Sequence, residues 1–215
     1  MKSYILIISI LMGLCLPAHA QTRSALSAEE EAQIKERIVG KLEDFQYFLG
    51  EMANKKNSQQ VRNDAHKSNR QLFIGKCEPY TVTNISTGAP EKRSAVKMET
   101  SSVSNGKERR RQQLMKQYFI NLMNNRAYSN IKIEQSKTVR VDNIRKVGDG
   151  KYEAVAHFYQ YFIGYGGDGI IRYGDQTEKA VRILIDYDEV PTPDGVDRIF
   201  DIKLGDMKVV LTERL

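Results

Sequence analysis

Apolar residues recur at helical spacing from residue 34 onward. Ile34, Ile38, Leu42, Phe45, Phe48, Leu49 and Met52 make one stripe, the pattern of an amphipathic helix with one face in a core. Ser27-Ala28-Glu29-Glu30 opens this helix as a capping box, in which the serine oxygen takes an amide of the first turn and Glu30 reaches back. A weaker helical pattern covers residues 58–74, with Val61, Ala65, Leu72 and Phe73 inward and Gly75 as its stop. A third helix is predicted over residues 107–124, its apolar side made of Leu114, Tyr118, Phe119, Leu122 and Met123. The polar stretch between the second and third helices carries two predicted strands, 80–85 and 94–103, with a loop over 86–93.

From residue 131 the apolar period changes to two, the period of a strand with one buried face. Strands are predicted at 131–134, 138–146, 151–163, 169–173, 178–187 and 198–211, the last interrupted at Gly205-Asp206. Gly148-Asp149-Gly150 is a tight hairpin signal, and residues 191–195 (Pro-Thr-Pro-Asp-Gly) form another turn. Sequential strands joined by short turns imply a largely antiparallel sheet. No internal repeat or low-complexity tract divides the chain, so residues 21–215 read as a single α+β domain.

A long helix, a shorter one, one or two strands, a third helix and then a run of long antiparallel strands is an order that resembles the NTF2-like (SnoaL-like) superfamily. The resemblance covers about residues 29–211 and rests on element order and length. It implies N-terminal helices packed on a curved, mostly antiparallel sheet, a cone with a pocket at its wide end. That superfamily includes enzymes, carriers and structural domains, so the fold alone does not assign chemistry.

Residues 1–20 have the three parts of a secretory signal peptide: Lys2, an apolar run from Tyr4 to Leu16, and Ala18-His19-Ala20 before a polar Gln21. The run is shorter than the roughly 20 apolar residues that span a bilayer. Cleavage after Ala20 and export to a periplasm or outer surface, as in a bacterial envelope, are expected, with no transmembrane segment left afterwards. Cleavage also removes Cys15 and leaves Cys77 as the remaining cysteine. A single thiol makes no internal disulfide, so the core alone must hold the fold. The formal net charge of +6 is spread through a chain that is 28% charged, which describes a solvated surface and names no partner.

Candidate chemistry centres on the strand at 151–163. Alternation puts Tyr152, Ala154, Ala156, Phe158, Gln160 and Phe162 on one face and Glu153, Val155, His157, Tyr159 and Tyr161 on the other. The first face, small and aromatic, suits contact with helices. On the second, His157 is the natural acid or base near neutral pH. His157, Glu153, Tyr159 and Tyr161 are therefore the expected pocket lining, with Asp186 or Asp201 as further polar partners. His66 falls among Asn63, Asp64, Lys67 and Asn69 and is expected on a solvated face.

Other motifs exclude more than they assign. Residues 164–169 (Gly-Tyr-Gly-Gly-Asp-Gly) lack the spacing and Lys-Ser/Thr of a phosphate loop and read as a hairpin tip. The acidic run Asp186, Asp188, Glu189, Asp194 and Asp197 has Pro191 where a calcium loop needs glycine. No Cys and His cluster is spaced for zinc, so no metal and no cofactor is expected. Arg109, Arg110 and Arg111 would splay around a helix, with Arg111 beside its apolar stripe, and no nucleic-acid motif accompanies them.

These readings lead to an expected exported binding or interaction module without catalysis, whose partner is an envelope or surface protein. The alternative is a carrier or acid/base enzyme with a small-molecule ligand in the cone. No nucleic acid is expected, and a homodimer through the open sheet face is.

Overall fold

The computed structural model describes residues 25–84, 87–193 and 195–215, with the backbone alone at 135–137. The expected export signal at 1–20 lies outside the described residues. The capping box forms as expected: Glu30 N donates to Ser27 Oγ at 3.1 Å and Ser27 N to the Glu30 carboxylate at 2.6 Å. It opens α1 (Ala28–Ala53). Ile34, Ile38, Leu42, Phe45, Leu49 and Met52 are fully buried, and Phe48 packs at the margin.

Ser58 caps α2 (Gln59–Gln71). Ala65, Leu72 and Phe73 are buried as expected, but Val61 is exposed, and Asn69, expected on a solvated face, is fully buried. Asn69 tolerates that position because its amide donates to Phe45 O at 3.2 Å. Gly75 lies beyond the helix, in a 3-10 turn (Ile74–Cys77), at φ 60°. A Cβ there would stand 2.9 Å from that of Tyr80, so the position favours glycine twice over. Cys77 in the same turn is buried, and desolvation pushes its thiol up to about 12.

The region expected as the third helix divides into a strand and a short helix. Residues Lys97–Ser104 (β3) and Lys107–Leu114 (β4) pair antiparallel along their whole length. Asn105 and Gly106, at φ 51° and 70°, make the two-residue turn between them. Asn-Gly with both φ positive is the favoured hairpin turn, and it overrides the helical propensity of a nearly all-polar segment. Helix α3 (Met115–Met123) begins only where the apolar spacing does. The arginines therefore alternate: Arg109 and Arg111 share one face of β4, and Arg110 takes the other. Arg62 donates to Met52 O at 2.9 Å and also to Met123 O. One guanidinium thus caps the C-terminal ends of α1 and α3.

Strand β1 (Tyr80–Thr83) falls within the strand expected at 80–85, and β2 (Pro90–Arg93), where a loop was expected, pairs with it in a separate hairpin. The main sheet adds β5 (Asn130–Val141), β6 (Arg145–Gly148), β7 (Lys151–Tyr165), β8 (Ile171–Thr192) and β9 (Gly195–Arg214). Its order is β4-β3-β9-β8-β7-β5, with β6 also on β7. Pairing is antiparallel except where β3 meets β9 in parallel at Met98↔Met207. The segments expected at 169–173 and 178–187 are one continuous strand, and Gly205-Asp206 is a bulge rather than an interruption. Ile183 pairs with Leu204 and Val181 with Met207, which leaves Gly205 and Asp206 opposite Arg182.

The fold is thus α+β: three α-helices among the described residues and a large, mostly antiparallel open sheet. One core joins the helices to the inner sheet face, through Ala156, Phe158, Val181, Ile183, Ile185, Ile202, Leu204 and Met207. Phe45 of α1 meets Phe73 and Phe158 edge-on, with ring centres 5.6 and 6.4 Å away. Among the described residues no helix is long and apolar enough to cross a membrane.

Candidate functional site

The alternation of β7 holds: Tyr152, Ala154, Ala156, Phe158 and Gln160 are buried toward the helices. Its consequence for chemistry is that His157, Glu153 and Tyr159 point to the outer face. His157 Nε2 lies 3.3 Å from Asp142 and Nδ1 3.5 Å from Glu178. Glu153 is ion-paired with Arg182, and with Arg145 at 3.4 Å. Asp142, Glu153, Arg145, Arg182 and Lys208 wall an open basin of about 540 Å³ on that face. Tyr159 is exposed, and Tyr161 borders a separate depression with Tyr47 and Glu51 of α1. The four expected lining residues therefore do not converge on a space beneath the helices. Asp186 and Asp201 are paired across β8 and β9 and bond to Lys151 and Lys203, both at 3.3 Å. His66 is not solvated as expected: its ring meets Phe119 edge-on at 5.9 Å, and burial, then Arg70 and Lys116, lower its pKa.

A second cavity, of about 330 Å³, lies on the inner face between β3, β4, α3 and the ends of β7 and β8. That volume is at the small end of the roughly 300–1,000 Å³ of small-molecule sites. Beside the cavity, β3 meets β9. They share one registered pair, and beyond it side chains replace the ladder. Glu99 accepts from Val209 N at 2.9 Å. Arg110 donates to Val209 O at 2.7 Å and Val210 O at 3.0 Å. Ser101 bonds to Thr212, whose hydroxyl lies 3.3 Å from Thr177. Side chains thereby satisfy backbone groups that the short β3–β9 pairing leaves open.

Its polar wall is carried by β8. Asp175, Thr177 and Lys179 alternate onto the inner face and are only 4%, 5% and 3% exposed. Lys179 Nζ makes one hydrogen bond among the described residues, a 3.3 Å contact to Glu99 O. Burial pushes its pKa down to about 8, against the opposing pull of Asp175 and Glu99. Burial likewise raises the Asp175 pKa, opposed by a hydrogen bond from Tyr173 and by the charges of Lys179 and Arg214. Tyr173 Oη donates to Asp175 at 2.6 Å and accepts from Val103 N at 3.0 Å. Arg214 covers the Tyr173 ring, 3.9 Å from its centre.

The adjoining wall is aromatic. Tyr128, Phe162 and Tyr173 form a chain of edge contacts, with centres 5.8 and 6.1 Å apart. Tyr128 lies against Gly164, where a Cβ would come within 2.5 Å of its ring. Tyr118 of α3 also lines the cavity, and its hydroxyl has no hydrogen-bond partner among the described residues. Tyr118 is half-buried as a residue, but protein atoms crowd its hydroxyl, so desolvation and the Asp175 charge hold the phenol well above its usual pKa. Arg111, expected to lie along a helix, lines this cavity from β4.

This arrangement presents an amine with spare donors and a carboxyl of raised proton affinity, beside tyrosines in a desolvated space. Such a site holds a polar group of a small molecule or moves a proton on it. Among the described residues no three His, Cys, Asp or Glu side chains are arranged to hold a metal ion. No known protein family, curated protein or solved structure matches this chain. Fold and site together define an α+β protein with a ligand-sized cavity on the inner face of its sheet.

Proposed function

We propose that this chain is a small-molecule-binding protein whose ligand occupies the inner cavity. One observation carries the reading: Lys179, 3% exposed, stands in the cavity wall with a single long hydrogen bond. A buried ammonium without a carboxylate partner is costly, and a bound ligand is the simplest compensation. The helices on one sheet face with a cavity beneath support an NTF2-like cone as the fold's family. Residues 1–20 support an exported protein. Native mass spectrometry of the protein, gently purified from its own cells, tests the reading. A small bound mass that is lost in Lys179→Met is expected; a bare chain under non-denaturing conditions contradicts it.

A second reading, the interaction module, draws on the hairpin of β8 and β9 beyond Asp186, where β7 no longer pairs. Val190, Val196 and Ile199 are 38%, 52% and 59% exposed there. A bound mass of protein size, abolished when these three residues become serine, is what that reading requires.

A further inference from the structure

We infer that the cavity takes a small organic anion, a carboxylate carried on an aromatic or apolar body, with its charged group seated on Lys179. The inference rests on the small-molecule reading and adds the chemical class of the ligand.

Charge decides between an anion and a cation. The charges acting on Lys179 are those of Asp175 on its own strand and Glu99 from β3, and Arg111 from β4 and Tyr118 from α3 line the same cavity. The tyrosine is neutral, so the charged lining is Lys179 and Arg111 against Asp175, with Glu99 close behind Lys179. Both carboxyls are already engaged: Asp175 accepts from Tyr173 at 2.6 Å, and Glu99 accepts from Val209 N at 2.9 Å. Lys179 has unmet donor capacity. An ammonium has three N–H donors, and Lys179 uses one of them within the described residues. Tyr118 adds a hydroxyl without a partner. A carboxylate offers acceptors to both groups through charge-assisted bonds. Tyr128, Phe162 and Tyr173 give a flat or apolar body its contact surface.

Binding of an anion is then coupled to protonation of Lys179. Burial lowers the proton affinity of this amine in the empty cavity, and the anion restores it. Above pH 7, Tyr118, Tyr128 and Tyr173 stay protonated because burial raises all three. Arginine keeps its charge. Lys179 is the group in the cavity wall whose charge changes between pH 7 and pH 10.

The test compares benzoate, 4-hydroxybenzoate and phenylacetate with their neutral primary amides on the full mature protein. Binding is followed by amide and aromatic NMR shifts at Tyr118, Tyr128 and Tyr173. At pH 7 at least one acid is expected to bind about tenfold or more tightly than its amide, the value of a charge-assisted pair. Its affinity should fall from pH 7 to pH 10 as Lys179 loses its proton, by a total of about the tenfold or more that the charge contributes, with the steepest loss near pH 8 to 9. Lys179→Met should abolish the preference for the acid. The pH series on the unsubstituted protein gives the same answer if that variant does not fold. Acid and amide binding alike, or acid binding that is flat with pH, overturns the anion and leaves the cavity as a binding site. If no acid shifts the cavity resonances at millimolar concentration, the anion inference fails, while the bound mass from native protein decides the broader reading separately.

Discussion

Asp175 and Lys179 project from one face of β8 on either side of Thr177, close enough to stabilise each other's charge yet without an ion pair. Each is almost fully buried, and each is moved by desolvation toward its neutral form. Two buried ionisable groups held apart in this way are the observation on which the proposed ligand site rests.

Stability should therefore rise with pH on the alkaline side. Lys179 has a pKa of about 8 in the fold and 10.5 as the reference, so between these values the unfolded chain binds more protons than the folded one. That difference makes stability grow as pH rises through the window, by roughly 3 kcal/mol at most. Asp175 has the opposite sign: its raised pKa gives stability present below 3.8 and lost as pH rises through the folded value. Urea denaturation of the ligand-free protein from pH 7 to pH 10 measures the Lys179 effect, and Lys179→Met should flatten its share. The same variant is expected to be about 1–2 kcal/mol more stable at pH 7 while losing the ligand, a site that trades stability for binding.

Tyr173→Phe keeps the ring under Arg214 but removes the hydroxyl between Asp175 and Val103 N. Two buried polar groups lose a partner, at a cost of about 1–3 kcal/mol. Chemical denaturation at pH 7 checks this, and an unchanged midpoint would remove Tyr173 from the support of the site.

Gly164→Ala should disturb the cavity from outside. The added methyl meets the Tyr128 ring at 2.5 Å and must push it inward. Overpacking of this kind costs about 1–3 kcal/mol. The expected readout is a lower melting temperature together with weaker binding of the carboxylate probe.

Much of the frame is legible in the sequence, for identifiable reasons. The α1 stripe is long, and its capping box is a local chemical rule, so Ile34 through Met52 and the Ser27–Glu30 pair fall where expected. The alternation of β7 is equally clean. The cavity is harder to read because its polar residues interrupt the apolar pattern used to find strands. Yet Val181, Ile183 and Ile185 are buried, and continuing their period backward leads to Lys179, Thr177 and Asp175. The alternation therefore marks a buried lysine, once the strand is extended past its apolar part. The β3–β4 hairpin hides differently: Asn105-Gly106 is a strong turn signal, but β4 is charged on both faces, and only its pairing with β3 makes it a strand. The β3–β9 pair, Met98 with Met207, is a tertiary event that no local pattern encodes.

His157 supplies the contrast. It sits on the outer face between Asp142 and Glu178, away from the cavity wall. His157→Ala is expected to leave carboxylate affinity within about twofold, as for a site that shares no partner with the ligand. Calorimetric titration checks it, and a larger loss would link the two faces of the sheet.

The most direct test of the account is the titration of Lys179 itself, followed by the ¹³Cε shift of the resonance that disappears in Lys179→Met. A midpoint near pH 8 in the ligand-free protein, moving upward when the carboxylate binds, is the expected result. A midpoint near the ordinary 10.5, unmoved by the carboxylate, would mean that Lys179 is solvated and that the inner cavity is not the site described above.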